Sequence, residues 1–178
     1  MTTETIKYCI ANRELKLSFS ETYSHYNITG FSIIFLASVS CFILPNYVNY
    51  ESYFGLFVLL LILFFQIILI FVIYKKEHEC LIFKEVSTNL TREQLAETIG
   101  ILSIKHNWRL EVISDDYVLV KSNPNKSNGE QITILFDGNK VLVNSICDLD
   151  RRMSIGSAGQ NELNENLVLD EISNAVAN

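Results

Sequence analysis

The chain reads as an α+β membrane protein. The expected plan is a two-helix transmembrane hairpin carrying a small cytoplasmic domain, in which a mainly antiparallel sheet, a meander, is packed by two helices. Three observations predict it. Residues 53–74 are an apolar run with no formal charge, residues 28–48 are a second apolar block, and residues 108–147 alternate apolar and polar side chains in four short stretches separated by turn residues. A spanning helix needs about 20 predominantly apolar residues, and a half-buried strand repeats every second residue.

The segment 1–27 precedes the spans and is polar overall, with no basic region followed by an apolar core, so no cleavable signal is expected. Within it Ile6, Tyr8 and Ile10 alternate, a turn is expected at Ala11-Asn12-Arg13, and Leu15, Leu17 and Phe19 alternate with Lys16, Ser18 and Ser20. Period two predicts an N-terminal β-hairpin. Because an isolated hairpin is marginal in water, its expected place is on the C-terminal sheet; the alternative is an amphipathic segment lying on the membrane surface, for which the basic polar face is weak.

The first span, 28–48, carries Gly30, Ser32, Ser38, Ser40 and Cys41 among Phe, Ile and Leu, with Pro45 near its outer end. Ala37 and Cys41, four residues apart, share one helix face and allow another helix to approach closely, so they are the expected contact surface for the second span. The second span, 53–74, is almost wholly Leu, Ile, Phe and Val; its one strongly polar side chain is Gln66, for which Ser38 at similar depth is the expected hydrogen-bond partner. The connection at 49–52 is too short for a domain and has no Lys or Arg, whereas Arg13 and Lys16 precede the first span and Lys75 and Lys76 follow the second. The positive-inside rule then puts both termini in the cytoplasm, with Tyr47, Tyr50 and Tyr53 at the outer interface and Tyr23, Tyr26 and Tyr74 at the inner one. The expected location is the cell (inner) membrane.

Residues 75–178 are enough for one small domain. A strand is predicted at 80–86. A helix is predicted over 92–106, where Thr91 and Gln94 form a capping box and Leu95, Ile99 and Leu102 recur on one face. Four strands follow at 108–114, 117–122, 131–136 and 140–147. Asp115-Asp116 and Asp137-Gly138 mark tight turns, and the stretch at 123–129, NPNKSNG, is a longer loop. Trp108, Leu110, Val112, Val141 and Val143 are expected on the face toward the helices, and Arg109, Glu111, Lys140 and Asn144 on the other. A last helix is predicted over 162–176 from Leu163, Leu167, Val168, Ile172 and Val176.

Composition narrows the function. The net charge is −6 with a pI near 5.1, and Lys and Arg never cluster beyond a pair, so nucleic acid is not an expected partner. The four cysteines, Cys9, Cys41, Cys80 and Cys147, show neither CxxC nor Cys/His ligand spacing, so no metal or other cofactor is expected and reduced thiols are the default. No Ser lies in a GxSxG elbow and His25, His78 and His106 are scattered, so the chain is not expected to be an enzyme. Asp115/Asp116 and Asp148/Asp150 sit at strand ends, where turns favour Asp.

One soluble stretch stands out, RRMSIGSAGQN at 151–161. Arg151, Arg152, Ser154, Gly156, Ser157 and Gly159 form a candidate anion-binding corner at the start of the last helix. Its spacing matches neither phosphate-loop nor dinucleotide motifs. The expected function is a membrane-anchored interaction domain, an accessory or scaffolding subunit that binds a protein partner or a second copy of itself. The alternative is a sensor for an anionic lipid headgroup or a small anionic ligand held by Arg151 and Arg152.

Overall fold

Residues 1–48, 53–122, 129–148 and 159–177 are described by the structure, a computed structural model. The elements in chain order are α1 (Thr3–Asn12), α2 (Phe19–His25), α3 (Asn27–Val48), α4 (Tyr53–Glu79), β1 (Lys84–Ser87), α5 (Arg92–Lys105), β2 (Arg109–Ile113), β3 (Tyr117–Ser122), β4 (Glu130–Asp137), β5 (Lys140–Cys147) and α6 (Gln160–Ala177). The fold is α+β with a five-stranded antiparallel sheet. Two units divide the chain: Met1–Glu21 with Cys80–Asn178, and Thr22–Glu79.

In the first unit β2 to β5 form a meander and β1 adds to its far side, giving the order β1-β5-β4-β3-β2. The β4–β5 turn is set by Gly138, whose φ of +62° suits a residue without Cβ, and it pairs Asp137 with Lys140. Helix α5 begins as its sequence predicts: the Thr91 hydroxyl accepts from the Gln94 amide while the Gln94 side chain accepts from the Thr91 amide. It ends at His106, after which Asn107 takes the left-handed conformation (φ 55°) and the Trp108 amide reaches back to Ser103 O at 2.8 Å.

The core on the helical face joins Leu95, Ile99 and Leu102 of α5 and Val168 and Ile172 of α6 to Val118, Val120, Ile132, Ile134, Val141 and Val143 of the sheet. Trp108 and Leu110 pack at its margin. The register slips between Leu110 and Val112, so β2 is an irregular edge strand rather than a regular one. Residues of the opposite parity, Leu135, Leu142 and Ile146, are also fully buried. Asn144 is buried too, donating to Cys80 O at 2.7 Å and to Ile82 O at 3.2 Å, so the face expected to meet water is instead covered.

The cover is the N-terminal segment, and here one expectation is overturned: there is no β-hairpin at 6–19. Thr3–Asn12 is a helix capped by the Thr2 hydroxyl, with Ile6 and Cys9 buried on one side, and it lies against β4. Ile6, Tyr8 and Ile10 alternate over only five residues, a run too short to separate period two from a helical face carrying Ile6, Cys9 and Ile10. Residues 13–15 do pair, but with 81–83 rather than with the sheet: Leu15 N donates to Leu81 O at 2.8 Å and Phe83 N to Arg13 O at 2.9 Å. The predicted strand at 80–86 is therefore divided, its first half pairing with the N-terminal segment and its second half forming β1 on the sheet. Arg13 fastens this layer, with its guanidinium 3.0 Å from Asp137 and 3.5 Å from Glu85.

In the second unit α3 and α4 pack against each other. Among the described residues α4 is the one helix that is by itself long and apolar enough to cross a membrane, and α3 meets that test only together with α2.

Candidate functional site

The sequence-predicted residues fall in three places. Arg151, Arg152, Ser154, Gly156 and Ser157 lie outside the described residues. The two anchors of their segment are described. Asp148 before it is buried and ion-paired to Lys121 at 3.0 Å. Gly159 after it has a φ of +87° and offers its carbonyl to the Leu163 amide at 3.2 Å, opening α6.

In the helix pair, Gln66 sits on the less exposed stripe of α4 with Leu63, Ile70, Ile73 and Glu77. Ala37, Ser38 and Cys41 do not meet it; they lie on the exposed side of α3, whose less exposed stripe is Ser32, Leu36 and Ser40. Ser38 donates to Ile34 O one turn back at 2.9 Å, as a hydroxyl in an apolar helix does when its own backbone is its nearest acceptor. Gln66 Oε1 is buried without a hydrogen-bond partner among the described residues. What ties the two helices together is at their open end. The Thr29 hydroxyl donates to Glu77 Oε2 at 2.6 Å, His25 Nε2 meets Glu77 O at 2.7 Å, and the Tyr26 hydroxyl meets His78 Nδ1 at 3.2 Å. Tyr26 stacks on Tyr74 with ring centroids 5.4 Å apart, so two of the tyrosines assigned to the inner interface act as a clasp.

The strongest concentration of buried polar groups lies where no sequence motif marks it. At one end of the sheet Ser122, Glu130 and Cys147 stand in one cross-strand row on the face toward α6. The Glu130 amide donates to Ser122 Oγ at 3.2 Å, and the Asp148 amide to Gly129 O at 3.0 Å. Glu130 is only 2 % exposed. Burial pushes its carboxyl up to about 7; the nearby Asp148 charge acts in the same direction and a hydrogen bond with Cys147 opposes it. Its Oε2 has no hydrogen-bond partner among the described residues.

The polar layer continues along α6. Glu165 accepts from the Ser145 amide at 2.9 Å and pairs with Lys84 at 3.2 Å, and Asn164 donates to Ser145 Oγ at 3.4 Å. Burial raises the Glu165 pKa, with the Ser145 amide and Lys84 holding it back. Sequence parity carries the signal for both acids. Glu130 stands two residues before core-facing Ile132, and Glu165 three before core-facing Val168, so each occupies an inward position.

Chemically, this end of the sheet supplies a carboxyl that changes charge near neutral pH beside a thiol and a hydroxyl. The three histidines lie elsewhere, and no group of three His, Cys, Asp or Glu side chains that could hold a metal occurs among the described residues. None of the four cysteines is in a disulfide. Comparison with protein-family models, with curated proteins and with solved structures finds no match for this chain.

Proposed function

We propose that the chain is an integral membrane protein in which α3 and α4 form a two-span hairpin, both termini are cytoplasmic, and the α+β unit serves as an interaction domain of a membrane complex. The observation that carries this reading is the way the chain returns. Residues 1–21 and 80–178 fold into one unit, so the helix pair inserted between them leaves from and comes back to the same folded body.

Three features support it further. Phe57, Leu60, Phe64, Phe65, Leu69 and Phe71 of α4 are all exposed, and so large an apolar surface, left uncovered away from the stripe that meets α3, suits lipid. Lys75 and Lys76 stand at the end of the apolar run, and the 49–52 connection has no basic residue. The clasp of His25, Tyr26, Thr29, Tyr74, Glu77 and His78 collects amphipathic side chains at one end of the pair, as an interface requires.

The topology is tested by single-cysteine labelling in a cysteine-free background. With a membrane-impermeant maleimide, Asn49→Cys is expected to label in intact cells and Ser173→Cys only after permeabilisation; the reverse pattern, or equal labelling of both, overturns the hairpin. The interaction role predicts a defined oligomer or a stoichiometric complex when the intact protein is purified in mild detergent. A clean monomer with nothing attached would count against it.

A further inference from the structure

Between the N-terminal segment and the sheet lies a groove with a volume of 410 Å³. It is contained within the α+β unit, so a ligand could occupy it whether or not the helix pair crosses a membrane. Its floor is Leu119 of β3 with Gln131 and Thr133 of β4, and one wall is the stretch 15–18 after α1. Two chemistries meet there. Leu15, Leu17 and Leu119 give it an apolar lining, while Thr133, only 1 % exposed, holds a hydroxyl with no hydrogen-bond partner among the described residues. A buried hydroxyl left unpaired is costly, which marks it as a position where a polar atom of something else belongs.

The groove also carries a cation. Lys16 lines it, and its ammonium lies 5.1 Å from the centre of the Tyr8 ring with no carboxylate at ion-pairing distance among the described residues. Glu21, the acid on the same groove, is already engaged, accepting from the Ser18 amide at 2.7 Å. An ammonium that rests on the Tyr8 ring and has no carboxylate partner among the described residues, a buried hydroxyl and the Gln131 amide suit a single carboxylate, and the leucines suit an apolar body attached to it. Met1 also lines the groove, its α-ammonium donating to the Tyr117 hydroxyl at 2.9 Å; the Glu21 carboxylate offsets that charge, so one net positive charge, that of Lys16, is left for a ligand.

We propose that this groove binds a monocarboxylate with a short apolar chain, its carboxylate received by Lys16 and Thr133 and its chain laid against Leu15, Leu17 and Leu119. The volume falls within the range of small-molecule sites, about 300–1,000 Å³. Lys16 supplies charge, Thr133 supplies direction, and the leucines supply the area that removes the chain from water.

Octanoate is the probe, and the full chain in nanodiscs of zwitterionic lipid is the protein, with empty nanodiscs subtracted. Equilibrium dialysis of labelled octanoate is expected to show saturable uptake approaching one molecule per chain. Lys16→Gln, at an exposed position where the fold is undisturbed, is expected to weaken binding about tenfold, and Thr133→Val about fivefold. Octanol, with the same chain and no carboxylate, is expected to bind at least about tenfold more weakly than octanoate. Uptake that never saturates above the empty-nanodisc level overturns the site. Equal affinity in the Lys16→Gln protein, or equal affinity for octanol, overturns the carboxylate assignment. Circular dichroism of each variant identifies a misfolded Thr133→Val protein, and Lys16→Gln then decides the question alone.

Discussion

Removal of residues 1–21 is expected to make the α+β unit sensitive to protease at concentrations that leave the intact protein uncut. The reason lies in the second face of the sheet. Leu135, Leu142 and Ile146 are fully buried there, and Ile6, Cys9 and Leu15 are among the side chains of the covering segment that are buried with them. Burial of one large aliphatic side chain contributes about 1.5–3 kcal/mol, so losing this layer costs on the order of 10 kcal/mol, comparable with the whole stability of an ordinary domain. Smaller changes should grade the effect. Leu15→Ala is expected to cost about 2–4 kcal/mol, since a buried leucine leaves a cavity behind. Arg13→Ala is expected to cost no more than about 1 kcal/mol, because its pairs with Asp137 and Glu85 are partly exposed. Limited proteolysis and hydrogen exchange on β4 and β5 measure the result. A truncated chain as resistant as the intact one would mean that this layer contributes little to the fold.

That dependence shows where sequence reasoning succeeds in this chain and where it runs out. Helix α5 is readable because Thr91 and Gln94 make a local signal that tertiary contacts then reuse. The β4–β5 turn is readable because Asp137-Gly138 meets a backbone requirement found within two residues. The sheet order of the meander follows from short connections. The N-terminal helix is not readable, because its few apolar residues fit either period and the partner that decides between them lies more than a hundred residues away on β4. The face opposite the helices differs from expectation for a related reason: Asn144 looks like a solvent residue until the carbonyls of Cys80 and Ile82 are found to accept from it. The small residues of α3 illustrate another limit, since spacing defines a face without saying which way the face turns. As for the anion corner, Gly159 alone is described, and it serves to open α6.

Glu130→Gln is expected to raise the stability of the α+β unit at pH 8 and to leave it nearly unchanged at pH 5. The sign follows from the direction of the shift. The carboxyl titrates near 4.5 when free and near 7 in the folded protein, so between those values the folded state holds a proton that the unfolded state releases. Raising the pH therefore favours unfolding across that window, and the loss is complete above about pH 7. At about 1.36 kcal/mol per unit, the interval from 4.5 to about 7 corresponds to about 3 kcal/mol. Glutamine keeps the shape and a hydrogen-bonding end but never acquires the charge, so its stability should be flat where the native protein declines. Denaturant titrations of both proteins at pH 5 and pH 8 measure the difference, and parallel curves would sink the idea. Asp148, at the same end of the sheet, has a cation opposite it, the Lys121 ammonium at 3.0 Å. Glu130 has no such cation in its row, which contains only Ser122 and Cys147. An uncompensated acid at an inward position of β4 costs stability at neutral pH, and the end of the sheet where it sits is also where the chain enters the segment carrying Arg151 and Arg152. A charge that appears near pH 7 in that row has no cation opposite it, so it is felt as lost stability of the folded unit rather than as an ion pair.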